Sequence, residues 1–319
     1  MLDIDFDRAH KGRNMQPDNQ TDDRAAAVRA FRPLAELIPA HWHTGTITLP
    51  DDLVMHYTRT GTDTEKTPLI LLHGVQVAGL MWLRTAGALE GDYDVIMPDL
   101  RAHGHTDGLE HGLSTDQTAG DMQWLIQSLG LDTPFVMGHS MGADVAGRLA
   151  GIAPLRAAIL VDPALQNFAA MMPPLAMDDP PEWLQAILDT MRDLKTLPHA
   201  ERMAQGLRLL PPGIAIWDEL DYVPFVEGQA QFDPAAFPHL LTLGYLVEDT
   251  AALAAIACPT LLLTARPMMP QANIDAGIAV FEQHVQSLEH EHFADSGHFI
   301  PFDQFQRFVT VVTEFLRAN

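Results

Sequence analysis

The sequence predicts an α/β protein in which a mostly parallel central sheet is flanked by helices and interrupted by an inserted helical segment. Three observations carry this expectation. Short apolar runs of strand type alternate with helical patterns, the mark of parallel strands joined by crossover helices. Gly138-His139-Ser140-Met141-Gly142 lies between a strand-like run and a helix of small residues, where a tight turn can expose a serine. A Met-, Pro- and Leu-rich stretch then breaks the rhythm before it resumes at Pro259.

Residues 1–23 are polar and poor in apolar side chains, which suggests a loose N-terminal arm. Residues 44–49 and 53–59 flank Pro50-Asp51-Asp52 and read as an opening antiparallel hairpin. Residues 68–72 form a continuous apolar run, as a strand buried on both faces requires. Strand patterns follow at 93–97, 134–137, 156–161, 259–264 and 286–293, with a helix over 143–150. The core is expected over 24–162 and 251–319, and a helical cap over 163–250. An insertion between parallel strands emerges at their carboxyl edge, where ligands bind in such sheets, so the cap should cover Ser140.

Composition narrows the function classes. The 319 residues are 47% hydrophobic, enough for a sizeable core. Forty-two acidic against 19 basic residues give a formal net charge of −23. That balance argues against nucleic-acid partners, which need clustered Lys and Arg, and against anionic membrane surfaces. Solubility or adaptation to salt explains the acidity more simply than an acidic binding surface does. The single cysteine, Cys258, sits in an apolar stretch and allows neither an intrachain disulfide nor a cysteine metal site. The acidic N-terminus lacks the apolar segment of a signal peptide, and no run is long enough to span a bilayer. A soluble, cytoplasmic protein is expected.

In order and spacing, several segments resemble the α/β-hydrolase superfamily over residues 40–317. His73-Gly74 follows the first parallel strand, as in the family's oxyanion-loop motif. Residues 98–106, Pro-Asp-Leu-Arg-Ala-His-Gly-His-Thr, are similar to its D-x-R-G-x-G-x-S turn, with Ala102 in place of the usual glycine. The Ser140 pentapeptide matches the nucleophile elbow, and Asp295-Ser296-Gly297-His298-Phe299 is similar to the terminal histidine signature. The resemblance implies an α/β-hydrolase fold with Ser140 as nucleophile and His298 as base. The oxyanion hole would be formed by the backbone amides of Met141 and Val75.

A serine hydroxyl is a poor nucleophile alone; it needs a base in reach, and the base needs an orienting carboxylate. The place of that carboxylate departs from the commoner family pattern. The strand at 259–264 is followed by Ala265-Arg266-Pro267, and the next carboxylate is Asp275. In a second arrangement, similar to that of some lactone hydrolases, the acid follows the preceding strand, where this chain has Asp162. Asp162 is the preferred candidate, Asp275 the alternative, and another carboxylate or a weakened triad stays open. His290 and His292 alternate along a strand and read as ordinary strand residues. His103, His105, Asp107 and His111 have spacings like those of metal ligands, but they fall in the family turn, so no metal or cofactor is expected.

The resemblance implies a cofactor-independent serine hydrolase for an ester or lactone. A lid carrying Met171, Met172, Met177, Met191, Met203, Trp183 and Trp217 suits an apolar substrate, although such residues also pack helices together. C–C bond hydrolysis of ring-cleavage products and perhydrolysis use the same triad and remain alternatives, as does a receptor-like ligand-binding protein of the same fold. Haloalkane dehalogenation and epoxide opening in this fold use an aspartate nucleophile, where this chain has Ser140.

Overall fold

The computed structural model describes residues 19–61, 65–109, 112–166, 181–210, 215–236, 239, 243–266 and 271–319. Its strands are β1 (His43–Thr48), β2 (Val54–Arg59), β3 (Thr67–Leu72), β4 (Tyr93–Pro98), β5 (Phe135–His139), β6 (Ala158–Val161), β7 (Thr260–Ala265) and β8 (Leu288–Phe293). They form one eight-stranded sheet in the order β1-β2-β4-β3-β5-β6-β7-β8. β2 runs antiparallel to β1 and β4, and every other pair is parallel. This is the α/β-hydrolase fold that the sequence predicts.

Side-chain alternation along the strands divides the interior into two layers. Ile70, Leu72, Val136, Leu160 and Leu262 pack on one face with α3 (Thr115–Leu129), α4 (Met141–Ile152) and α9 (Gln271–His284). Leu69, Leu71, Met137, Ile159 and Leu263 pack on the other with α2 (Leu83–Leu89) and α10 (Phe305–Ala318). In α10 the buried Phe308, Val312, Phe315 and Leu316 form the stripe a helix needs against a sheet. Burying each such side chain contributes roughly 1.5–3 kcal/mol. Helix α3 starts where the Ser114 hydroxyl accepts from Gln117 N and stops at Gly130, whose φ of 62° only glycine adopts readily.

The expected loose arm is corrected at its end. Residues 19–23 belong to helix α1 (Asn19–Arg29), where an alanine-rich run favours the helix and Val28 is fully buried. Residues 1–18 lie outside the described residues.

The chain between β6 and β7 contains α5 (Glu182–Thr196), α6 (His199–Gly206) and α7 (Glu219–Gln231), followed by α8 (Thr250–Ala255). Helix α7 sits directly on the loop after β3. A Cβ on Gly228 would lie 2.9 Å from Ala78 N, so only glycine allows this approach. Arg84 of α2 holds the same helix through Asp221, at 2.7 Å. Met191 and Met203 are buried in the packing, while Met171, Met172 and Met177 lie outside the described residues.

Candidate active site

The parallel order reverses at β3, whose neighbours are β4 and β5, and a crevice opens outside such strand ends. The Ser140 turn lies there. β5 ends at His139 and α4 begins at Met141, so Ser140 reverses the chain almost alone, at φ 54° and ψ −121°. Such geometry is costly for a residue with a Cβ and persists only where the surroundings enforce it. Ser140 N donates to Val161 O at 2.9 Å, and Ser140 O accepts from Ala143 N at 2.8 Å. A Cβ on Gly138 would run into the Gly142 carbonyl, and one on Gly142 into the Leu72 carbonyl. Glycine is therefore required on both sides of the serine.

Asp162 and His298 meet beside this turn. Asp162 follows β6 at φ 47°, and its backbone N donates to Leu263 O at 2.8 Å. Its Oδ1 accepts from Ala265 N at 2.9 Å, and its Oδ2 lies 2.7 Å from His298 Nδ1. A neutral imidazole that donates from Nδ1 keeps its lone pair on Nε2, the form a general base needs. Asp275 is on α9, where its Oδ1 accepts from Gln271 Nε2 at 2.8 Å at the exposed surface. The Ser140 hydroxyl makes no hydrogen bond to another described residue, as is common before a substrate tightens a site.

The loop after β3 lies against the same turn: a Cβ on Gly74 would stand 3.3 Å from Ser140 Cβ. Met141 N, at the first turn of α4, and Val75 N donate to no backbone or side-chain acceptor among the described residues. His73 shapes the loop. Its Nε2 accepts from Leu100 N at 2.9 Å, so Nδ1 carries the proton and donates to Gly74 O at 2.7 Å. Burial holds its pKa below the ordinary imidazole value, which keeps this tautomer neutral. Asp99 braces the loop from behind by accepting from Gly79 N at 2.8 Å and His105 N at 2.9 Å. Burial alone would raise its pKa; hydrogen bonds from His56 and these amides outweigh it and hold the carboxylate charged. A cavity of about 330 Å3 behind this loop is lined by Trp42, His56, Asp99, His105 and Pro224, not by Ser140 or His298.

The turn resembling D-x-R-G is structural. Ala102 takes a φ of 60°, the left-handed conformation glycine usually supplies. Arg101 pairs with Asp51 at 2.8 Å and with Asp121. His103 is buried against His73 and Phe232, and burial together with His73 drives its pKa down to about 3. His105 packs edge-on to His56, and His111 lies outside the described residues. His290 and His292 both bond Thr264 Oγ1, each at 2.9 Å. Cys258 is a free, buried thiol.

Two neighbours of His298 carry no signal in the sequence. His139 points its Nε2 at His298 O, 2.8 Å away, with the two rings 4.6 Å apart. Burial, then His298, keeps its pKa well below the usual imidazole value, so it is a neutral donor. Asp303 accepts from Gly297 N at 2.8 Å and from Trp217 Nε1 at 2.9 Å. The partners of Asp303 and His139 are far away in the chain or are backbone atoms, and no spacing rule finds those.

A family model described as alpha/beta hydrolase fold matches residues 67–207, which include the Ser140 turn and its two neighbouring strand ends. The chain shares the fold of the α/β-hydrolase superfamily. Over 92 residues the chain is 36% identical to a soluble epoxide hydrolase of Corynebacterium sp. (strain C12), covering 29% of the chain and 31% of the relative. Over 115 residues it is 35% identical to N-formylmaleamate deformylase of Pseudomonas putida, covering 35% of the chain and 42% of the relative. The chain thus spans less than half the length of these curated relatives. A solved N-formylmaleamic acid deformylase from Pseudomonas putida S16 superposes with a TM-score of 0.64 at 20% identity, over 85% of this chain and all of that one. At that identity the likeness is one of fold. Among the described residues, no helix is long and apolar enough to cross a membrane.

Proposed function

We propose that this chain is a cofactor-independent serine hydrolase that cleaves a carboxylic ester or lactone of an apolar substrate. The single observation that carries the reading is the 2.7 Å contact of His298 Nδ1 with Asp162 Oδ2 beside the strained Ser140 turn. Ser140 Oγ attacks the carbonyl carbon as His298 Nε2 takes its proton, and Asp162 stabilises the imidazolium. The Met141 and Val75 amides receive the oxyanion. His298 then protonates the leaving alcohol, and water enters by the same route to free the acid and restore Ser140.

Residues 163–250 act in this reading as a cap over the site. Phe299, Phe302 and Trp217 cluster beside His298, with ring centroids 4.9–5.5 Å apart, which favours an apolar wall. The deformylase likeness supports a second reading, hydrolysis of a small N-acyl amide by the same residues, with an amine as leaving group.

The test is a fluorophosphonate probe followed by peptide mapping, then a panel of p-nitrophenyl esters, lactones and N-formyl amides. One adduct on Ser140, absent in Ser140→Ala, together with ester or lactone turnover is expected. Turnover of the amides alone would move the assignment to the second reading. Labelling that survives Ser140→Ala would remove this serine from the mechanism.

A further inference from the structure

The loop that carries His298 is held by a carboxylate that is itself gripped by the inserted segment. His298 lies between Gly297 and Phe299, and the one-turn helix Ile300–Asp303 follows at once. Asp303 turns back on this loop: its Oδ2 accepts from Gly297 N at 2.8 Å, and Asp303 N donates to Phe299 O at 2.9 Å. Ser296 Oγ donates to Gly297 O at 2.9 Å and lies 3.4 Å from the same Oδ2. The other oxygen, Oδ1, accepts from Trp217 Nε1 at 2.9 Å. Trp217 belongs to the chain between β6 and β7, two residues before α7, and is 5% exposed. Its ring packs on Phe299 at 5.1 Å and on Phe302 at 4.9 Å. One side chain from the insertion therefore touches both the carboxylate that fixes the histidine loop and the residue after His298.

We infer that Asp303 is a positioning residue for His298 and that Trp217 holds it in that role, so that the seated insertion sets the geometry of the base. The inference rests on the serine-hydrolase reading above. Each Asp303 oxygen has its own donor, and both donors have fixed directions. The backbone N–H of Gly297 can then lie in only one place relative to Asp303, and Gly297 is the residue that launches His298. Asp162 fixes the ring from one side and His139 the carbonyl from another, whereas Asp303 fixes the chain that carries them. If Trp217 N–H is lost, Asp303 can swing and the imidazole moves relative to Ser140. A displacement near 1 Å costs up to about 10²-fold in rate.

The test uses the full chain with a p-nitrophenyl ester. Trp217→Phe keeps an aromatic ring and deletes only the N–H donor. We expect kcat to fall about 10-fold, KM to stay within about 2-fold, and fluorophosphonate capture by Ser140 to slow by the same factor as kcat. Asp303→Asn has one acceptor for two donors and should lose at least as much. In the double variant the amide can turn its oxygen to Gly297 N and its nitrogen to the vacated side. The combined loss should therefore be no greater than that of the worse single variant, instead of the product of the two. Phe225→Leu, which loosens the same aromatic cluster without touching the hydrogen bonds, should keep kcat within about 3-fold for a similar fall in melting temperature.

Independently of turnover, the Nδ1 proton shared by His298 and Asp162, assigned by its loss in His298→Ala, should give a downfield NMR line that broadens in Trp217→Phe and not in Phe225→Leu. Unchanged kcat and an unchanged line in Trp217→Phe, multiplicative losses in the double variant, or an equal loss in Phe225→Leu would each overturn the inference. Failure of the hydrolase reading is seen separately, as turnover that persists in Ser140→Ala.

Discussion

Asp162→Asn is the most informative substitution, because the structure dictates which way the new amide must face. Asp162 Oδ1 accepts from Ala265 N at 2.9 Å, a donor fixed at the end of β7. An asparagine must keep its carbonyl oxygen there, since turning its NH2 toward that N–H would set donor against donor. The NH2 group then faces His298 Nδ1, which can answer only as an acceptor. The imidazole is forced to carry its proton on Nε2, the nitrogen that must receive the serine proton. Losing the correct tautomer costs up to about 10⁴ in kcat in serine triads, or about 5.4 kcal/mol of transition-state stabilisation. Folding should change little, because asparagine tolerates the φ of 47° and retains the Ala265 bond. The assay is kcat on a p-nitrophenyl ester beside a thermal melt, with Asp275→Asn as the comparison. Among the described residues Asp275 bonds only Gln271, on an exposed helix face, so that variant should stay within about 3-fold. A dead Asp275→Asn with an active Asp162→Asn would refute the reasoning, as would an Asp162→Asn loss matched by a collapse in melting temperature.

Three further outcomes are expected. Gly138→Ala should cost about 3 kcal/mol or more and abolish Ser140 labelling, because its methyl would meet the Gly142 carbonyl; a denaturant titration checks this. Asp144, buried on α4, accepts from Leu246 N at 3.0 Å, and burial pushes its pKa up to about 7. Its folded value lies above the unfolded one, so the folded state holds a proton that the unfolded state releases between about pH 4 and 7, and stability falls as pH rises through that window. Asp144→Asn should therefore stabilise the protein more at pH 8 than at pH 5, by about 2.5 kcal/mol, since about two pH units of the window lie above pH 5; equal effects at both pH values would sink the argument. Esterase activity should survive exhaustive chelation, whereas complete loss restored by zinc would return attention to His103, His105 and Asp107.

The strands and the Ser140 turn were legible in the chain because their causes are local. Apolar runs such as Pro68-Leu69-Ile70-Leu71-Leu72 must be covered on both faces, and only glycine fits at 138 and 142. The positive φ of Ala102 had a local sign too, since the matching family position holds glycine. The helix over residues 19–29 was missed because a polar composition conceals a helix whose buried anchor, among the described side chains, is Val28. Sequence narrowed the partner of His298 to a short set of carboxylates, without ranking their distances. Only the tertiary structure brought one of them to 2.7 Å, because strand order decides which loop ends share an edge, and β6, β7 and β8 are neighbours through pairing that no sequence spacing records. The same holds for Trp217 and Asp303, which are 86 residues apart and meet only because the insertion folds back over the sheet. A contact of that kind depends on where two separately folded segments come to rest, and neither segment alone carries a mark of it.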